Sequence, residues 1–260
     1  MQVTNEVIDK GVTERRFELE ASGEVVPGIL WRPEHADGPT PLVLLGHGGT
    51  QDKRAVNILG LARRFVRHLG YSAVAIDAPL HGERVADEAA AQAARDDLAR
   101  RVTGPAGHDS APRVSSQAQR AFAEAGRAAA DWAATLDHLE DAGGILDERI
   151  GYWGLSMGTM FGLPFVASEP RVRAAVLGLA GAAGVPGAEG RVAAARTLSV
   201  PVLFVMQWDD QLMTRQSCLD LFDAIGSSDK AMHVFPGGHI DTPLYERDAY
   251  EAFFVRHLGR

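Results

Sequence analysis

Charged and apolar residues alternate over residues 16–21, which is the pattern of a strand with one face against a protein core. After the turn-like sequence Ser22-Gly23-Glu24, residues 25–31 have the composition of a partner strand and lead to Pro33. The pattern therefore predicts an antiparallel hairpin near the start of the chain.

Several later segments are short and mainly apolar without alternation, which is typical of strands covered by helices on both faces. They are residues 41–45, 72–76, 149–153, 174–179, 200–206 and 232–235. The clearest helical pattern, over residues 53–69, repeats apolar residues at steps of three and four and ends at Gly70. Further helices are predicted over residues 115–139, 159–168, 214–225 and 244–258. This alternation predicts βαβ units and a parallel sheet of the α/β class.

Residues 83–114 interrupt the alternation of predicted strands and helices. The segment is first rich in alanine and charge, is then broken by Gly104-Pro105-Ala106-Gly107 and Pro112, and has few large apolar residues. Such a composition suits a surface insertion better than a core layer, so we expect a small lid or cap here. The chain shows neither internal repeats nor linkers, which predicts one domain over residues 1–260.

Composition and charge exclude some function classes. The 260 residues are 46% hydrophobic and 23% charged, which is enough apolar material for a core, and they carry a formal net charge of −8. Nucleic-acid binding requires clustered positive charge, so no nucleic-acid partner is expected. Charged residues interrupt every apolar run before it reaches the roughly 20 residues of a membrane-spanning helix. The chain opens without the basic and apolar segments of a secretory signal, so we expect a soluble, cytoplasmic protein.

The stretch Gly154-Leu155-Ser156-Met157-Gly158 lies between a predicted strand and a predicted helix. A serine on such a sharp turn is held in a strained conformation with its hydroxyl clear of the sheet, and the glycines leave room for the turn. Because so short a motif also occurs by chance, a nucleophilic role for Ser156 requires a base, an acid and oxyanion donors elsewhere.

Candidate partners for this serine follow two later strands. Asp209 and Asp210 come soon after residues 200–206, and His239 comes soon after residues 232–235. The carboxyl ends of parallel strands meet at one rim of a sheet, so we expect these side chains beside Ser156. An imidazole activates a serine hydroxyl by accepting its proton, and a carboxylate fixes the tautomer of the imidazole.

With the order serine, aspartate, histidine and the Gly-x-Ser-x-Gly turn, the chain resembles the α/β-hydrolase superfamily over nearly its full length. The resemblance implies a mostly parallel eight-stranded sheet with an antiparallel N-terminal hairpin and helices on both faces. It makes Ser156 the nucleophile, His239 the general base and then acid, and one of the two aspartates the orienting acid. We take Asp210 as the acid and keep Asp209 as the alternative, because Gln207 stands where the family commonly has a strand-ending glycine.

Backbone amides usually stabilise the oxyanion that forms when a serine attacks a carbonyl. Met157 supplies one such amide because it follows the nucleophile. The segment Gly46-His47-Gly48-Gly49 is similar to the His-Gly motif that supplies the second amide in this family, which implies Gly49 as the donor. His81 and Trp208 are candidate pocket residues, and for Trp208 the alternative is a role in covering the sheet edge.

The histidines show no ligand spacing such as His-Glu-x-x-His, so neither a metal nor another cofactor is expected. His47 is expected to brace its loop through hydrogen bonds, and Cys218 to be a buried thiol. The resemblance implies a serine hydrolase that cleaves a small-molecule carboxylic ester through an acyl-enzyme on Ser156. The segment Asp77-Ala78-Pro79-Leu80-His81-Gly82 is similar to the branch with dienelactone-hydrolase-like and acetyl-esterase-like enzymes.

Other activities use the same constellation and stay open. They are thioester hydrolysis, acyl transfer and carbon–carbon bond cleavage, whereas a peptidase is less favoured. The rival from another class is a ligand-binding protein that keeps the fold without catalysis. The sequence leaves the substrate open and allows a homodimer without requiring one.

Overall fold

Strands from both halves of the chain form one mixed sheet. The computed structural model describes residues 1–36, 38–104, 119–120, 123–142, 145–184 and 186–259, and within these ranges the sheet has nine strands in the order β1-β2-β3-β5-β4-β6-β7-β8-β9. The strands are β1 (Gln2–Asp9), β2 (Val12–Ala21), β3 (Glu24–Pro33), β4 (Thr40–Gly46), β5 (Ser72–Ile76), β6 (Ile145–Gly154), β7 (Val172–Gly178), β8 (Val202–Gln207) and β9 (Lys230–Phe235). Pairing is antiparallel from β1 through β3 to β5 and parallel from β5 to β9.

This sheet confirms the predicted fold class and has one strand more than the eight expected. The additional strand is β1, all of whose residues are exposed. Because β1 has no buried face, its sequence lacks the regular alternation that identifies β2. The predicted hairpin, β2 and β3, is therefore the inner part of a three-stranded antiparallel meander.

Helices cover both faces of the sheet. They are α1 (Val56–Arg64), which continues as a π-helical turn (Phe65–Leu69), α2 (Glu88–Val102), α3 (Ala125–Asp141), α4 (Met157–Ser168), α5 (Ala188–Thr197), α6 (Arg215–Ala224) and α7 (Glu246–Leu258). Helices α3 to α6 bury side chains on one face, and α1 and α7 on the other. Neighbouring residues of β6 show this division, since Tyr152 packs edge-on against Trp132 of α3 and Trp153 packs against Tyr250 of α7. Within the described ranges, no helix has the length and apolar character needed to cross a membrane.

The predicted lid is described only in its first part, because residues 105–118 lie outside the described residues, as do 121 and 122 of the helix predicted after it. A 3₁₀ turn (Gly82–Arg84) leads into α2. The Asp87 side chain accepts a hydrogen bond from the Ala90 amide at 3.0 Å and so caps the helix. The alanine-rich sequence that follows has a high intrinsic preference for helix, which explains why this polar segment is ordered as one.

Phe17 of β2 lies over Gly28, its registered partner in β3, and this contact leaves no room for a side chain. A Cβ atom on Gly28 would overlap the Phe17 ring, which is itself almost fully buried. Overpacking a buried site of this kind costs about 1–3 kcal/mol.

We therefore expect Gly28→Ala to lower the free energy of unfolding by about 1–3 kcal/mol, measured by urea denaturation. The matched control is Gly126→Ala in α3, where a new Cβ meets no atom within 4 Å and the helix should be as stable or more stable. Equal effects of the two substitutions would contradict the steric explanation.

Candidate active site

Ser156 lies on the turn between β6 and α4 with φ 58° and ψ −118°. A positive φ is rare for a residue with a side chain, and this ψ lies outside the left-handed helical region, so the backbone is strained. The Ser156 amide donates to the Gly178 carbonyl oxygen at 2.9 Å, which fixes the turn to the end of β7.

The two glycines of the motif allow α4 to approach the sheet closely. A Cβ on Gly158 would overlap the carbonyl oxygen of Gly46 at the end of β4, and a Cβ on Gly154 would come within 2.8 Å of the Gly158 backbone. The first turn of α4 therefore rests directly on the backbone of β4 and β6, and larger residues at these positions would push it away.

Two buried hydroxyl groups hold this turn, although the sequence motif does not predict a role for them. The Thr159 hydroxyl lies 2.7 Å from the carbonyl oxygens of both Gly154 and Gly178 and accepts from the Gly178 amide at 2.7 Å. The Tyr152 hydroxyl donates to the Gly158 carbonyl at 2.7 Å, and burial raises the pKa of this phenol, so it stays protonated. The one indication of these roles in the sequence is that both residues are polar within a mainly apolar stretch around the motif.

Ser156, His239 and Asp210 form one hydrogen-bonded chain. The Nε2 atom of His239 is 2.8 Å from Ser156 Oγ, and its Nδ1 atom is 2.7 Å from Asp210 Oδ2. The second carboxylate oxygen of Asp210 accepts from the amides of Leu212 and Met213 at 2.7 and 2.9 Å. Because the carboxylate can only accept, the proton sits on Nδ1, and Nε2 is left to accept from the serine hydroxyl.

The neighbouring Asp209 points away from this chain of hydrogen bonds. Its side chain is 48% exposed and pairs with Arg215 at 3.0 Å. Trp208 is also 45% exposed, and the Arg215 guanidinium lies over its ring at 4.5 Å. Trp208 does not line the cavity at Ser156, so its prediction as a pocket residue is corrected: in the turn after β8 its exposed side chain lies against Arg215.

The loop that carries His239 is fastened to the loop that carries Asp210. Gln211 Oε1 accepts from the His239 amide at 2.9 Å, and the Gly237 carbonyl accepts from the Asp209 amide at 2.9 Å. Gln207, at the position where the family commonly has glycine, is buried and its side-chain amide lies 3.1 Å from the Thr242 hydroxyl. Gln207 and Gln211 thus hold the two loops in register, a role that their types alone did not indicate.

Gly49 and Met157 lie beside each other near Ser156. The position of a Cβ on Gly49 is 4.0 Å from Met157 Cβ. The Gly48 amide donates to Gln51 Oε1 at 3.0 Å, whereas the Gly49 and Met157 amides donate to no acceptor in the described part of the chain. Within the described residues, both amides therefore lack an acceptor and could bind an oxygen atom.

His47 braces the loop before Gly49. Its Nε2 atom accepts from the Ala78 amide at 3.0 Å, and its Nδ1 atom is 2.9 Å from the Gly48 carbonyl oxygen. Burial, together with the nearby His81, lowers the pKa of His47 to about 4. His47 is thus a neutral ring that ties its loop to the segment after β5.

A buried ion pair reinforces the same connection. Lys53 Nζ is 2.6 Å from Asp77 Oδ2 and 2.6 Å from Glu83 Oε1, and the Lys53 amide donates to Asp77 Oδ1 at 2.9 Å. The Glu83 amide donates to Asp77 at 2.8 Å, so the carboxylate is fully used. Asp77 therefore joins the loop that contains Gly49 to the segment that begins at Glu83.

A cavity of about 620 Å³ opens at Ser156 and His239. Its walls are mainly apolar and include side chains from α2, α4 and the loop after β8, such as Leu98, Met160 and Leu212. His81 lines the cavity, and burial lowers the pKa of this ring. This volume and lining suit a small molecule with a substantial hydrocarbon part.

Solved structures of the same fold include esterases. A cold-adapted esterase from an Arctic intertidal metagenomic library, in complex with PEG, is 36% identical, covers 99% of this chain and 100% of its own, and has a TM-score of 0.79. Acetyl xylan esterase from Paenibacillus sp. R4 is 17% identical over 99% of this chain and 88% of its own, with a TM-score of 0.72. Dienelactone hydrolase from Anabaena variabilis ATCC 29413 is 18% identical over 95% of this chain and 99% of its own, with a TM-score of 0.65.

At their lower identities, the last two structures show the fold alone. No sequence model of a protein family matches the chain, and no curated protein matches it either. The likeness at the level of sequence therefore rests on the metagenomic esterase.

The low pKa of His47 predicts a loss of stability in mild acid. Between about pH 6.5 and pH 4 this ring is protonated in the unfolded chain but neutral in the folded one, so the unfolded state binds more protons and stability falls as the pH falls. From pH 7 to pH 5 the expected contribution of His47 is about 2 kcal/mol.

Urea denaturation at both pH values measures this change. The variant His47→Gln should lose about 2 kcal/mol less than the unaltered protein between pH 7 and pH 5, because glutamine has no proton to gain. His35→Gln, which changes an exposed histidine, is the matched control and should keep the full dependence. An unchanged pH dependence in His47→Gln would show that other groups, such as the neighbouring His81, account for the loss.

Proposed function

The chain belongs to the α/β-hydrolase superfamily, and we propose that it hydrolyses small-molecule carboxylic esters through an acyl-enzyme on Ser156. The relationship to the metagenomic esterase supports ester hydrolysis. The observation that carries the mechanism is the chain of hydrogen bonds from Ser156 Oγ through His239 to Asp210, at 2.8 and 2.7 Å.

In the first half of the reaction, His239 Nε2 accepts the proton of the Ser156 hydroxyl while Ser156 Oγ attacks the ester carbonyl. The oxygen that becomes negative is placed between the amides of Gly49 and Met157, which have no other acceptor in the described structure. Protonated His239 then gives its proton to the leaving alcohol, and the acyl group stays on Ser156.

In the second half, a water molecule attacks the acyl-enzyme. His239 takes a proton from this water and returns it to Ser156 Oγ, so the free acid leaves and the enzyme is restored. Asp210 stays ionised throughout and stabilises the charged imidazole. The strained backbone of Ser156, together with this complete set of partners, argues against a protein that uses the fold only to bind a ligand.

A fluorophosphonate probe tests whether Ser156 is the nucleophile. We expect the native protein to label with one equivalent and to hydrolyse a 4-nitrophenyl ester, and Ser156→Ala to lose both properties because the attacking oxygen is gone. Exposed Ser168 provides the matched control, and Ser168→Ala should label as the native protein does. Labelling of Ser156→Ala at the native rate would refute the proposal.

The two aspartates give a second test. Asp210→Asn should lower kcat by at least about a hundredfold, because an amide in place of the carboxylate can stabilise the wrong tautomer of His239. Asp209→Asn changes the same charge one residue away, at an exposed site, and should keep kcat within about twofold. Equal losses in the two variants would contradict the assignment of Asp210 as the orienting acid.

A further inference from the structure

The charges in the cavity wall are opposite in sign to the charge of the whole chain. Of the charged side chains that line the described cavity, three are arginines, Arg95, Arg101 and Arg247, and one is an acid, Asp97. The chain as a whole has a formal net charge of −8. Positive groups lining a cleft with apolar walls raise the local concentration of anions.

Two of these arginines have acidic neighbours on their own helix. Arg95 of α2 binds Glu88 and also lies 3.0 Å from Gln92 Oε1. Arg101 lies 3.9 Å from Asp97. Asp97 also lies 3.5 Å from Arg100, so these acids offset the two charges only in part.

Arg247 of α7 has no such partner among the described residues, because the nearby acids are engaged elsewhere. Asp248 and Glu251 both bind Arg64 of α1, and Glu246 binds His233 at 2.7 Å. The Arg247 guanidinium instead lies against α1, with Nη1 3.5 Å from the position of a Cβ on Gly60. Its positive charge is thus held in the cavity wall without a counter-charge.

A polar group on the same wall, the Tyr250 hydroxyl, does not neutralise this charge. Tyr250, one turn further along α7, lines the cavity and is almost fully buried. Burial raises the pKa of the Tyr250 hydroxyl, and the nearby Arg247 only partly opposes this, so the phenol stays protonated. No anion forms there to pair with Arg247.

We propose that the ester cleaved at Ser156 carries a carboxylate away from the scissile bond, and that Arg247 binds this carboxylate. A guanidinium matches a carboxylate through two parallel hydrogen bonds, and the apolar walls accommodate the hydrocarbon between the two groups. This inference rests on the proposed esterase function, to which it adds the substrate class: carboxylate-bearing esters in preference to neutral ones.

Two matched pairs of esters test the proposal. For a carboxylate on the acyl side, 4-nitrophenyl hydrogen adipate is compared with neutral 4-nitrophenyl hexanoate, and for the alcohol side 4-acetoxybenzoate is compared with its methyl ester. The measured quantity is the ratio of kcat/KM for the charged ester to kcat/KM for its neutral partner. Arg247→Gln should lower this ratio about tenfold in at least one pair, which is the size expected for a charge-assisted hydrogen-bonded pair.

Two further variants separate a direct contact from a general charge effect. Arg247→Lys keeps the charge but not the fork of donors, so its ratio should lie between those of native protein and Arg247→Gln. Arg256→Gln removes the same charge from an exposed site further along α7, outside the cavity wall, and should leave the ratio within about twofold.

The outcomes distinguish this inference from the one on which it rests. If the native protein hydrolyses the neutral esters, Ser156→Ala does not, and Arg247→Gln leaves both ratios unchanged, then the assignment of Arg247 is overturned while the esterase function stands. If Arg256→Gln lowers the ratio as much as Arg247→Gln, a direct contact is also overturned. If the native protein hydrolyses no ester of either pair, the esterase proposal fails and this inference fails with it.

Discussion

The direct contact of α4 with the ends of β4 and β6 is the constraint on which the rest of the structure depends. Hydrogen atoms at Gly46, Gly154 and Gly158 let the backbones touch, and the chain between them turns with a positive φ at Ser156. Strain of this kind costs about 1–3 kcal/mol. The buried hydrogen bonds of Thr159 and Tyr152 contribute about 1 kcal/mol each, which is of the same order as this strain. The serine hydroxyl then emerges where the loops after β8 and β9 bring Asp210 and His239.

Much of this arrangement could be predicted because it depends on local patterns. Continuous apolar runs identified the buried strands, and the rule that parallel strands end at one rim placed the serine, the acid and the histidine together. The direction of each side chain at the rim was harder to predict than its position. Trp208, Asp209 and Asp210 are consecutive, yet Asp210 alone binds the histidine, because the turn after β8 brings Trp208 and Asp209 to Arg215 instead. The position of such residues directly after a strand predicts that they lie at the rim, but it does not predict the direction of each side chain.

The groups that support the site could not be predicted for a different reason. Gln207 and Gln211 act through contacts with loops about 30 residues away in sequence, and the partner of Arg64 lies at the far end of the chain. Strand β1 was not predicted because all of its residues are exposed, so neither face requires a regular series of apolar residues. Each of these contacts, or its absence, depends on how distant parts of the chain pack together. It therefore produces no regular pattern of apolar and polar residues in the sequence.

The contacts of Asp77 divide residues 83–102, the described part of the predicted lid, into two parts with different freedom to vary. Glu83 is bound through its amide to Asp77 and through its carboxylate to Lys53, whereas α2 begins five residues later and contributes wall side chains such as Ala94 and Leu98. Mutations in α2 can therefore reshape the pocket while the root of the insertion and the loop bearing Gly49 keep their positions. Over evolution, substitutions in this helix of about four turns can change which substrates fit, while the arrangement of side chains at Ser156 stays the same.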